Sequence, residues 1–104
     1  MNGGTFTLTA AAARDIEEIL GYVLEHSGAT RARHVYDKLL DGCRKIGAYP
    51  DLAGHCRDDL ADESVRVFVV FSYLIIYRPT TMPVQILRVV HGARDLSVVF
   101  RGED

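Results

Sequence analysis

A chain of 104 residues predicts one domain, 1–104, long enough to bury its own core with a modest stability margin. Apolar content near half and charged content near a quarter are those of an ordinary globular protein, and a net charge of −2 gives no overall sign of a nucleic-acid partner. The apolar stretch Val67–Tyr77 is eleven residues, too short to cross a bilayer as a helix, so no membrane partner is expected.

Thr5-Phe6-Thr7-Leu8-Thr9 alternates and is rich in β-branched residues, which predicts a short strand. Thr9 then suits the N-cap of a helix. That helix would bury Ile16, Ile19, Leu20, Val23 and Leu24, the i, i+3, i+4, i+7, i+8 stripe of one face. Ser27-Gly28 ends it, with Gly28 in the left-handed closing position. Thr30 can cap a second helix whose apolar stripe is Ala32, Val35, Tyr36, Leu39, Leu40, Cys43 and Ile46. The link is so short that the two helices must fold back as an antiparallel hairpin. Gly47 and Pro50 stop the second helix.

Residues 51–64 are polar and glycine-containing, and predict a connecting loop with room for one helical turn. Two strands follow over roughly 65–71 and 73–78, joined at Phe71-Ser72-Tyr73 without an Asn-Gly turn signal. Pro79 to Pro83 is a break, and VQILRVVH, 84–91, is a further strand. LSVVF, 96–100, is either a last strand or a packed tail. The fold class is α+β: an N-terminal strand and an antiparallel helix hairpin packed on an antiparallel β-sheet, in the order β-α-α-β-β-β. By strict alternation, Ile86, Arg88 and Val90 would share one face of the strand 84–91 and Leu87, Val89 and His91 the other.

Charge is uneven along the chain. Residues 1–64 carry seven basic and eleven acidic side chains; residues 65–100 carry Arg66, Arg78, Arg88 and Arg94 against Asp95 alone. A positive second half can face an anionic partner, or four arginines can simply solubilise a sheet. Cys43 and Cys56 do not make a disulfide framework, and no signal peptide is visible, so a reduced thiol pair and a cytoplasmic location are expected. Their spacing with His55 matches no structural zinc pattern, and Cys43 on a helix stripe reads as core; no metal is expected.

The polar end of the last long strand, RVVHGARD at 88–95, is the main constellation. His91 has the chemistry of a general base but no triad partner nearby in sequence, and a strand-end histidine can equally serve a backbone hydrogen bond. Arg94-Asp95 fits a self-paired turn, or Arg94 reaches a phosphate or carboxylate. Tyr73 and Tyr77 can stack on bases or pack on the sheet with their hydroxyls at its rim. No phosphate-binding glycine loop is present, so no cofactor is expected.

The order of elements, together with AAARDIEEILGYVLEHSG, RARHVYDKLLDGCRKIGAYPDLAG, VRVFVVFSYLIIYR and the closing QILRVVHGARDLSVVF, resembles the ParE toxins of the RelE/ParE superfamily over roughly residues 5–100. YLIIYR followed by RVVHGARD carries the likeness most specifically. The resemblance implies a small cytoplasmic toxin of a type II toxin–antitoxin system, as in plasmid stabilization. A ParD-like antitoxin would neutralise it, and DNA gyrase would be its target, inhibited by binding. RelE relatives instead cut mRNA on the ribosome. Such a nuclease needs basic groups for the phosphate and an acid/base pair for attack by the 2′-hydroxyl. Here the central strands offer only Arg66 and Arg78, Leu74 stands where RelE-type sequences often have arginine, and the second half lacks lysine.

An inhibitor without catalytic residues is therefore expected, with an mRNA endonuclease or a non-toxic antitoxin-binding relative as alternatives. The candidate target-facing residues are Arg66, Tyr73, Tyr77, Arg88, His91, Arg94 and Asp95. An amphipathic antitoxin helix would meet Ile19, Val23, Tyr36 and Leu40, with Arg31, Arg33 and Arg57 available for an acidic antitoxin tail.

Overall fold

The computed structural model describes residues 5–54 and 65–92. Their order is β1 (Phe6–Leu8), α1 (Ala10–Ser27), α2 (Ala29–Ala48), a single turn α3 (Pro50–Ala53), β2 (Arg66–Val70), β3 (Tyr73–Arg78) and β4 (Val84–His91). The expected β-α-α-β-β-β order holds, and α3 fills the helical turn allowed for after Pro50. Residues 55–64 and 93–104, including Cys56, Arg57, Arg94, Asp95 and the LSVVF segment, lie outside the described residues.

Thr9 is the N-cap of α1. Its hydroxyl accepts the Ala12 N–H at 3.0 Å and donates to the Leu87 carbonyl at 2.8 Å, so one side chain starts the helix and ties it to β4. Gly28, at φ 89°, is the single residue between α1 and α2. It leaves no room for the expected Thr30 cap: α2 begins at Ala29, with Gly28 as its N-cap and no side-chain cap.

The sheet order is β1-β4-β3-β2. β2 with β3 and β3 with β4 are antiparallel, as their short connections require. β1 pairs parallel with β4, Phe6 opposite Val84 and Leu8 opposite Ile86, so the sheet is mixed rather than wholly antiparallel. The chain passes through the helix hairpin, β2 and β3 before returning beside β1 as β4, a connection long enough for a parallel neighbour.

β4 also departs from strict alternation. Tyr77 opposes Ile86 and Ile76 opposes Arg88, leaving Leu87 as a bulge residue. Ile86 and Val89 therefore both face the helices, while Leu87 and Val90 face the opposite side. Asp15 of α1 secures the strand immediately after the bulge: its carboxylate accepts from Arg88 Nε at 2.7 Å, Arg88 Nη2 at 3.0 Å and the Val89 N–H at 2.9 Å.

The helix-side core joins Ile16 and Val23 of α1, Val35, Leu39, Cys43 and Ile46 of α2, and Ile75, Tyr77, Val84, Ile86 and Val89 of the sheet. Each aliphatic side chain buried there contributes about 1.5–3 kcal/mol relative to exposure. α2 lies close on the sheet at Gly42, where a Cβ would come within 3.0–3.2 Å of Val70, Phe68 and Ile75. The other face holds a second buried apolar cluster of Val65, Val67, Leu74, Ile76 and Val90. The sequence stripes run wider than the buried ones: Leu24 is 53% and Tyr36 38% exposed.

Candidate functional surface

The residues singled out from sequence separate into three places. Arg66 and Tyr77 oppose each other across β2 and β3, and both reach the turn after α3. Arg66 Nη2 donates to the Gly54 carbonyl at 2.6 Å. The Tyr77 hydroxyl accepts the Gly54 N–H at 3.0 Å and donates to the Pro50 carbonyl at 2.8 Å. Tyr77 is fully buried, so it is a core residue and not a target-facing one. Its hydroxyl satisfies backbone groups that burial would otherwise leave unpaired. Gly54 is required by close approach: a Cβ would lie 2.6 Å from the Val67 carbonyl oxygen and 2.7 Å from the Tyr77 hydroxyl.

Arg88 is committed inward. Its fork grips Asp15 in the bidentate geometry that guanidinium favours, with Asp15 only 11% exposed. This pair joins α1 to β4 and is a structural tie rather than an open cation.

His91 and Tyr73 do come together, opposite each other at the end of the β3–β4 ladder, with their rings edge-on at 5.4 Å. Ser72 Oγ and His91 Nε2 share a 3.3 Å hydrogen bond, and the Gly92 N–H donates to the Ser72 carbonyl at 2.6 Å. Ser72 belongs to the two-residue hairpin between Val70 and Tyr73, whose first residue, Phe71, sits at φ 55°. The half-exposed Phe71 ring carries the Arg31 guanidinium at 5.3 Å and the His34 ring at 5.7 Å. Arg31 and His34 of α2, the hairpin tip and the end of β4 thus form one aromatic and cationic surface. His34, Phe71 and Ser72 were not singled out from sequence. A signal was present: a tight turn at Phe71-Ser72-Tyr73 without glycine or asparagine leaves a bulky residue to take any left-handed position the hairpin needs.

The third place is a groove of about 370 Å³ between the helices on their outer side, lined by Leu20, Gly21, Leu24, Ala32, Arg33 and Tyr36. Of the residues expected to meet an antitoxin, Tyr36 and Arg33 line it. Val23 is buried and Ile19 is half-buried against the core, because the α1 stripe turns them toward the sheet. Leu40 is half-buried, and Arg31 lies over Phe71. Arg33 also pairs with Asp37 one turn on, an exposed contact of small energetic weight.

Among the described residues no group of three or more His, Cys, Asp or Glu side chains is placed to hold a metal. No described helix is long and apolar enough to cross a membrane. Burial pushes the Cys43 thiol up to about 11, the neighbouring Arg44 opposing slightly, so this cysteine is a protonated core residue and not a nucleophile.

Residues 6–96 match the family described as the ParE toxin of the type II toxin–antitoxin system, parDE. Among solved structures, a chain from the chromosomal ParDE toxin–antitoxin system of P. aeruginosa has the same fold. The TM-score is 0.73 at 18% sequence identity, covering 85% of this chain and 95% of that one. No curated protein matches the chain. Since the family match spans almost every described residue, the chain belongs to the ParE toxins of type II toxin–antitoxin systems.

Proposed function

We propose that this toxin acts by binding DNA gyrase and inhibiting it, without catalytic turnover of its own, and that a ParD-like antitoxin neutralises it in the cytoplasm. The observation that carries this reading is the character of the central strands. A ribosome-dependent nuclease needs cations and an acid/base pair converging on a phosphate. Here Leu74 is buried with Val67, Ile76 and Val90. Arg66 reaches the Gly54 carbonyl and Arg88 is held by Asp15. His91 has Ser72 and Tyr73 as its described neighbours, neither of which is an acid that would complete an acid/base pair at neutral pH.

The groove supports the antitoxin half of the reading. An amphipathic antitoxin helix would lay apolar side chains against Leu20, Leu24, Ala32 and Tyr36, with Arg33 at its rim for an acidic side chain. The distinguishing experiment incubates the folded toxin with ribosomes carrying mRNA. Intact message is the expected result; cleavage that needs the ribosome would replace this reading with the endonuclease.

A further inference from the structure

We propose that Phe71 is the anchor by which this toxin grips its protein target, its ring entering an apolar socket rimmed by carboxylates. The proposal rests on the reading of the chain as a toxin that works by binding, but not on the identity of the target.

The register that pairs Val70 with Tyr73 leaves a two-residue hairpin, and such hairpins demand a residue at positive φ. Glycine, asparagine or aspartate adopts that conformation at little cost; a bulky aromatic is a genuine outlier there. Phe71 takes it, at φ 55°. Core burial does not offset the strain, because the residue is 47% exposed. The ring is nevertheless held: Arg31 lies over it and His34 packs against it at 45°. The adjoining Ser72 is fixed to His91 and to the Gly92 N–H. A strained, exposed and clamped aromatic is the pattern of a binding site rather than of a turn chosen for stability. Aromatic residues, phenylalanine among them, are also enriched at the cores of protein interfaces.

The partner's chemistry follows from the surroundings. Arg31 and His34 contact the ring, His91 is joined to the adjoining Ser72, and none of the described contacts at the tip involves a carboxylate. An acidic rim around an apolar pocket complements this. A nucleic acid fits less well. The chain carries a net charge of −2, which disfavours the counterion-driven binding on which nucleic-acid affinity depends.

The test compares the full chain with Phe71→Gly and Phe71→Asn, which remove the ring and suit the turn. Both are expected to melt at or above the wild-type temperature, because the turn strain is relieved. Both should keep wild-type affinity for the antitoxin. Growth arrest on expression should be lost, with affinity for the target falling on the order of tenfold or more. Phe71→Trp should retain arrest. Arrest needs no assumption about gyrase: a toxic wild type that leaves gyrase untouched sinks the gyrase reading, while the Phe71 comparison still decides this one. Several results would overturn the proposal. These are a wild type that arrests nothing, folded variants that arrest growth like wild type, and both variants melting below wild type. Another is single-stranded RNA or DNA binding by the wild type at physiological salt that disappears in the variants.

Discussion

Gly54 and Tyr77 show how much of this chain's chemistry is spent on holding backbone in place. The buried hydroxyl of Tyr77 bridges the Gly54 N–H and the Pro50 carbonyl, and the approach is so close that no Cβ fits. Gly54→Ala is therefore expected to destabilise the protein by about 1–3 kcal/mol, the usual cost of forcing atoms into a packed site. A lowered midpoint in urea unfolding with an unchanged slope would register this. Cys43 gives a second, pH-dependent expectation. Its thiol keeps its proton in the folded state up to about 11, against 9.0 when unperturbed. The folded pKa is raised, so this contribution to stability is complete below pH 9 and is lost as pH rises through about 11. In Cys43→Ala that component disappears, and the difference in unfolding free energy between wild type and variant should narrow as pH climbs across that window.

The elements were legible in the sequence where a single periodicity governed them, and less so where two elements shared a residue. The apolar spacing of α1 and α2 marked both helices, and Thr9 marked the first cap. The β4 bulge could not be read locally, because its cause is partly remote: Thr9 takes the Leu87 carbonyl, and Asp15 takes the Val89 N–H together with Arg88. An alternation rule applied to β4 alone placed Leu87 with Val89, which the bulge separates. Arg88 looked like an open cation for the same reason, since its partner lies 73 residues away. The stripe rule likewise assigned Leu24 to the core, whereas the helices bury a narrower band and leave Leu24 on the groove. That groove makes its own prediction. Leu24→Glu should leave the melting temperature within about 2–4 °C, as exposed substitutions usually change stability by no more than roughly ±0.5 kcal/mol. It should weaken antitoxin binding on the order of tenfold, measured by calorimetric titration of the purified pair. Unchanged affinity would move the antitoxin off this groove.

In the proposed reading, the fold divides its surfaces between two roles. The helix hairpin presents the apolar groove on its outer side, and the hairpin tip with the end of β4 presents the aromatic and cationic rim. Between them lies a sheet with apolar clusters on both faces, whose Arg66 and Arg88 are turned toward the Gly54 carbonyl and Asp15. The most direct test is DNA supercoiling by purified gyrase with increasing amounts of the folded toxin, repeated after mixing with its antitoxin. Supercoiling should fall with toxin and recover fully with antitoxin. Undiminished supercoiling in the presence of folded, growth-arresting toxin would contradict the proposed mode of action.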